Sequence, residues 1–362
     1  MNIVLDDLTI AGSLYPFSAT RSIADIRVGI LTLREKWEML LGAKVLVASE
    51  MKAMHDRHHE AGSVQENFEI PSDAIVFSAN TLPNTALINQ LSAVNSGISP
   101  SRITVRKIEF AWQIIAHNLQ EIKNDHELLT KGRISRAIDD SNKISTPGDI
   151  FIEQGASVTH SVLNASDGPI YIGKNAIVME GCLIRGPFAI GEGTVVKMGT
   201  KIYGGTSCGP FCTLGGEIKN SLLFGYSNKA HDGYLGDSVI GEWCNLGAGT
   251  TTSNLKNTAA EIKMWDGNQM IDTGKKKGGL LMGDHSRAAI NTSFNTGTVV
   301  GTCCNIFGHA FPPKFVADFT WGQQKYSLEK ALVHIENWKQ LKGEKLTVTE
   351  KRILTDLYIK SE

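Results

Sequence analysis

Apolar residues stand six apart through a long stretch of this 362-residue chain, at Ile172, Val178, Ile184, Ile190, Val196, Ile202, Cys208 and Leu214. The beat resumes at Ile240 and Leu246, and again at Met282, Ala288, Phe294, Val300 and Ile306. An amphipathic helix needs a period near 3.6 and a half-buried strand a period of about 2, so neither explains the pattern. A period of six fits a short strand plus a corner, three of which close one coil of a triangular solenoid. The large residue points into the prism. Small residues two places earlier (Ala176, Cys182, Thr194, Thr200, Thr206, Cys212) tolerate the crowded corner, and a following glycine, as at Gly173, Gly191, Gly209 and Gly215, frees the turn. At about 18 residues per coil, roughly 130 repeat-bearing residues give about seven coils.

Glycine marks where this architecture begins, since 7 of the 36 lie in residues 1–149 and 29 lie after them. The boundaries expected are 1–149 for an α/β domain, 150–322 for the solenoid and 323–362 for a helical tail. The sixfold pattern resembles the hexapeptide repeat of left-handed parallel β-helices, which break the usual right-handed crossover rule. The fold class expected is therefore mixed: a small α/β N-terminal domain, a left-handed parallel β-helix and C-terminal helices. A net charge of −1 argues against nucleic acid or an anionic membrane as the main partner. No apolar run nears the roughly 20 residues of a membrane span, and no signal-peptide pattern opens the chain, so a soluble cytoplasmic protein is expected. None of the six cysteines forms a CxxC pair, and no metal site is expected.

The beat fails twice, from about Glu217 to Gly236 and from about Asn257 to Leu281. Insertions must leave a solenoid's stack and project from one face, where function often sits. The second break carries Trp265 and Lys275-Lys276-Lys277, a basic turn that is either solvated or a phosphate contact.

At the first break the stretch SNKAHDGYLGDSVIGEWCNLGAGTTTSNLKN (227–257) holds His231, the run Tyr234-Leu235-Gly236-Asp237, the run Asn245-Leu246-Gly247-Ala248-Gly249-Thr250, and Asn254. It resembles the acetyltransferase motif of the bifunctional N-acetylglucosamine-1-phosphate uridyltransferase/glucosamine-1-phosphate acetyltransferase family. With LYPFSATRSIADIRVGILTLREKW (14–37), the chain looks like a divergent bacterial branch in which a shortened nucleotidyltransferase-like half precedes the β-helix. The resemblance implies acetyl-CoA as acyl donor, a sugar phosphate or sugar nucleotide as partner, and a homotrimer with sites between subunits.

Acetyl transfer to an amino sugar needs a base with a pKa near neutrality, and the resemblance assigns that role to His231. It assigns sugar or phosphate contacts to Lys219, Lys256 and Lys197, the last standing where the family has an arginine. Tyr234, Asn245 and Asn254 would hydrogen-bond the sugar or orient the base, and Ala248 would line the pantetheine channel. Downstream, Ala289-Ile290 replaces a Gly-Ser pair and Phe307-Gly308-His309 a small corner, both bulkier than the family pattern.

In the first domain, apolar spacing predicts helices near 28–41, 85–91 and 109–122, with strands near 44–48 and 74–78, an α/β alternation. The glycine-rich loop that cradles nucleotide phosphates in sugar nucleotidyltransferases is missing, because Gly12, Gly29 and Gly42 are widely separated. Arg21 and Arg27 are the phosphate-binding candidates there, and Asp6-Asp7 the candidates for Mg²⁺, each with a structural role as the rival. The cluster MHDRHH (54–59) lacks standard metal spacing and is taken as surface. Apolar residues at Leu328, Leu332, Ile335 and Trp338, and a Thr347/Glu350 capping box, predict two tail helices that cap the solenoid or pack on a neighbour.

The expected activity is N-acetyl transfer from acetyl-CoA to an amino-sugar 1-phosphate in the β-helix, with nucleotidyl transfer in the N-terminal domain left open. The rival is a non-catalytic sugar-nucleotide-binding or scaffold protein. A hexapeptide-repeat carbonic anhydrase would need a His-x4-His pair, which His160, His231, His285 and His309 do not supply.

Overall fold

The computed structural model describes residues 2–10, 12–49, 70–95 and 105–361. The sixfold beat becomes a three-faced parallel β-solenoid with faces of ten, six and nine strands. That exceeds about seven coils, because coils with uneven corners extend the stack on both sides of the regular beat. Its first strand is Lys143–Ser145 and its last coil ends in the hairpin Thr320–Trp321 with Gln324–Lys325. The residues of the beat fill the prism, with Ile172, Ile190, Val196, Leu214, Ile240, Met282 and Val300 all fully buried.

The first break is not a projecting insertion. Its strands stay in the stack, pairing Ile202 with Ile218, Ile218 with Leu235, Leu223 with Ile240 and Leu214 with Lys229. The corners are merely shortened, which shifts the beat without ending it. The second break does leave the stack, as an antiparallel hairpin of Lys263–Trp265 and Met270–Asp272. Ile262 and Met264 are buried with the N-terminal core and Trp265 stacks on Phe315 at 4.3 Å, while Lys275, Lys276 and Lys277 are exposed.

The N-terminal unit has a three-stranded parallel sheet with Ile3–Asp6 between Leu46–Ala48 and Ile75–Ser78. Helices α1 (Leu33–Leu41), α2 (Thr85–Asn95) and α3 (Ala111–Thr130) accompany it. Helix α1 starts later than its apolar spacing predicts, because Thr32 and Glu35 form a capping box and residues 27–32 form a tight hairpin. Helix α3 runs past Ile122, since its last turns bury charge instead of apolar side chains. Glu121 and Asp125 are both buried there against Lys36, with Glu121 at 2.9 Å from its ammonium. The MHDRHH cluster lies outside the described residues.

This unit lies along the nine-stranded face. The outward residues Leu222, Phe224, Val239, Leu281 and Val299 share one core with Phe17, Trp37 and Leu5. Polar clasps flank that contact: Tyr15 donates to Asp318 at 2.9 Å, Thr20 to Asp284 at 2.5 Å, and Asn118 to the Gly205 carbonyl at 2.8 Å. Helices α4 (Leu328–Gln340) and α5 (Val348–Lys360) pack on Cys303 and Phe319 of the last coils. They also reach back along the ten-stranded face. Trp338 lies 5.0 Å from the Arg287 guanidinium, and Lys342 donates to Asn228 at 3.1 Å. On the six-stranded face the outward Val162, Leu183 and Tyr203 stay exposed. Among the described residues no helix is long and apolar enough to cross a membrane.

Candidate functional site

Between strand Asn228–Lys229 on the ten-stranded face and strand Tyr234–Gly236 on the six-stranded face, residues Ala230 to Gly233 form a bend at the corner. The bend is held at two backbone points: Gly249 N–H donates to the Asp232 carbonyl at 3.0 Å, and Glu217 N–H to the Gly233 carbonyl at 3.2 Å. Gly233 has φ +116°, and a Cβ there would sit 2.1 Å from the Thr250 carbonyl oxygen, so only glycine fits. His231 is thereby left exposed at the corner.

The corner is concave. A cavity of about 500 Å³ runs over five successive coils and is lined by Lys197, Met198, His231, Ala248, Ile290 and Asn291, with Gly215, Gly216 and Gly249 at its floor. The groove thus brings together three of the residues singled out from sequence: Lys197, His231 and Ala248. Ile290 stands in its wall at 69% exposure, and Met198 at 68%. Phe307 does not line this groove. It borders a separate cavity of about 650 Å³ at the end of the solenoid, edge-on to Trp321.

A second group lies on the six-stranded side. The Tyr234 hydroxyl accepts from Asn254 Nδ2 at 3.1 Å, the same amide contacts Asp237, and Asn220 donates to Asp237 at 2.6 Å. The ring of Tyr234 lies over Gly236, where a Cβ would meet the hydroxyl at 2.3 Å, which explains the small residue two places after the tyrosine. Burial, with the charges of Asp237 and Glu217, raises the Tyr234 pKa and so favours the neutral phenol. Lys219 is exposed beside this group, 5.9 Å from the Tyr203 ring. Lys256 donates to the Glu261 carbonyl within its own loop. Asn245 sits on the ten-stranded face, between Asn228 and Arg287, and accepts from Asn228 at 3.3 Å. It is outside the groove that holds His231.

In the N-terminal unit, Arg21 is buried in ion pairs with Asp284 and with Glu242 at 3.3 Å. Burial opposes its charge, but the two carboxylates outweigh that and raise its pKa. Arg27 donates to the Ile30 carbonyl in its own hairpin. Asp7 is buried and accepts from the Ser22 hydroxyl at 2.7 Å and the Ile23 N–H at 3.0 Å, while Asp6 accepts from Leu8 N–H at 2.9 Å. Both carboxylates are thus engaged in hydrogen bonds within the N-terminal unit, Asp6 in its own turn and Asp7 with the segment around Ser22.

Lys229 also belongs to this corner: it stands at an inward position of the beat, between Leu223 and Leu235, and is buried, a placement that the sixfold spacing alone reveals.

Fold and groove together define a class, an α/β unit backed onto a hexapeptide-type β-solenoid with a histidine in a corner groove. Residues 2–102 match a family model described as a sugar nucleotidyl transferase. The chain is 36% identical over 91 residues to a bifunctional sugar-1-phosphate nucleotidylyltransferase/acetyltransferase of Sulfurisphaera tokodaii, covering 25% of this chain and 23% of that protein. It is 35% identical over 88 residues to the bifunctional protein GlmU of Methanocaldococcus jannaschii, covering 24% and 21%. To the GlmU of Methanococcus maripaludis it is 29% identical over 193 residues, covering 53% and 42%. These matches support a GlmU-like family for the chain, which spans between 21% and 42% of the length of these three relatives.

Proposed function

We propose that the corner groove is an N-acetyltransferase site that takes an acetyl group from acetyl-CoA to the amine of an amino-sugar 1-phosphate. The single observation that carries this reading is the convergence of His231, Lys197 and Ala248 on one cavity of about 500 Å³. In the reaction, the neutral sugar amine attacks the thioester carbonyl and His231 takes a proton from it. The carbon–sulfur bond then breaks and the coenzyme thiolate receives the proton that His231 took, directly or through solvent, leaving the N-acetyl sugar and the neutral imidazole. Lys197 offers a cation for the sugar phosphate, as a point charge rather than a bidentate fork. Ala248 and the floor glycines leave width for a slender pantetheine arm, and Ile290 narrows it. The Tyr234–Asn254 pair and Lys219 would join the sugar site from a neighbouring copy in a homotrimer. The exposed Val162, Leu183 and Tyr203 on the uncovered face support that assembly, which sedimentation would test by its mass.

With glucosamine 1-phosphate and acetyl-CoA, the protein is expected to release thiol, and His231→Ala to lose roughly 10²- to 10⁴-fold in turnover. Absence of thiol release from the wild type, or full release from the variant, would sink the proposal. The exposure of Ile290 in the groove wall favours a second reading, binding without turnover. Calorimetry showing sugar-phosphate binding without thiol release would select it. For the N-terminal unit we propose a structural role, supported by the pairing of Arg21 with Asp284 and by the hydrogen bonds that Ser22 and Ile23 give to Asp7. UTP with N-acetylglucosamine 1-phosphate is then expected to yield no pyrophosphate.

A further inference from the structure

One column of inward positions runs up the ten-stranded face through Val178, Val196, Leu214, Lys229, Leu246, Ala288 and Ile306. Every member except Lys229 belongs to the apolar core of the prism. Lys229 is 1% exposed. An ammonium in such an interior costs several kcal/mol unless its protons are satisfied, so it needs a specific reason to be there.

Its three N–H bonds have three acceptors. Lys229 Nζ donates to the carbonyls of His231, of Asp232 at 3.3 Å and of Gly215 at 3.4 Å. Two of these belong to the bend that carries the histidine, and the third to the coil beneath, in the floor of the same groove. An aliphatic side chain at this position would leave all three oxygens without this donor. The lysine therefore pulls the backbone of the bend inward, which turns the imidazole outward into the groove.

We infer that Lys229 is a positioning residue, an interior ammonium that sets the backbone of the His231 bend and ties it to the groove floor. The inference rests on His231 being the base in the proposed reaction. Burial lowers the Lys229 pKa to about 8, with the Asp232 charge opposing the shift, as befits an ammonium held by neutral carbonyls rather than a paired carboxylate.

The test is Lys229→Met in the full chain, with Lys229→Leu beside it, because leucine already fills the adjacent position at Leu214. Two quantities are read. One is the NMR signal of the His231 ring, assigned by its loss in His231→Ala. The other is kcat and KM for thiol release. A misplacement of about 1 Å costs on the order of 10²-fold, so kcat is expected to fall by about that factor with KM within about twofold. The His231 ring signal is expected to shift and broaden in both variants. An unchanged His231 signal in a folded variant overturns the inference, as does an unchanged kcat, or a kcat and KM that move together. Should the wild type release no thiol, the acetyltransferase reading fails on its own, and the His231 signal alone then decides whether Lys229 sets the bend.

Discussion

Arg21 shows how much of a buried charge's role is decided by its partners. Its guanidinium lies between Asp284 and Glu242 of the solenoid, and Asp284 is itself 1% exposed. Thr20 Oγ1 and the Glu242 N–H also donate to Asp284, so the carboxylate is the hub of the contact between the two units. Arg21→Met removes the countercharge that contacts this carboxylate. The expected cost is about 3–5 kcal/mol, because an uncompensated buried charge is left behind. Urea denaturation measures it. A variant of wild-type stability that had lost affinity for a nucleoside triphosphate would instead make Arg21 a phosphate contact. The sequence places Arg21 beside Asp25 and suggests phosphate. Its true partners are more than two hundred residues away, a distance no local pattern spans.

At the scale of elements, the corner bend is where backbone and chemistry meet. Gly233→Ala places a methyl against the Thr250 carbonyl at a φ of +116°, a region that is essentially glycine's own. The bend must shift, at about 1–3 kcal/mol, and carry His231 with it. Denaturation is expected to show that modest loss, and turnover a larger one than stability alone explains. Equal activity in the variant would mean that the bend tolerates displacement. The sixfold beat made the prism legible in advance, since Ile172 through Leu214 are all interior as the period requires. It misread the first break, because a corner shortened by a residue or two looks in one dimension like an inserted loop. The motif around His231 led to the groove, yet it could not separate Tyr234 and Asn245 from it. Those side chains stand on two different faces of the prism, and sequence proximity does not say which way a corner turns. Lys229 is hard to read for a related reason: by residue type a lysine belongs in solvent, and only the fold places three carbonyls around it.

For the whole molecule, the extent of the contact between the N-terminal unit and the solenoid predicts one cooperative body. Phe224 is 1% exposed although it points out of the prism, because Phe17 covers it with ring centroids 5.2 Å apart, and the Arg21 guanidinium lies 5.1 Å from its ring. Leu222, Val239, Leu281 and Val299 continue the same apolar strip along the nine-stranded face. Without the N-terminal unit this strip would be a large exposed apolar patch, of the kind that drives aggregation. Phe224→Ala opens a cavity at its centre and is expected to cost about 3–5 kcal/mol. Calorimetry should show a single transition moved to lower temperature, with helical and sheet signals lost together. Two separated transitions, only one of them moved, would mean that the units fold independently. The coupling also bears on the groove. Asp284, which holds Arg21, stands six residues before Ile290 on the coil that supplies Ile290 and Asn291 to the groove wall. The N-terminal unit, whose sequence carries no glycine-rich phosphate loop, is thereby joined through Arg21 to the coil on which the groove's wall is built.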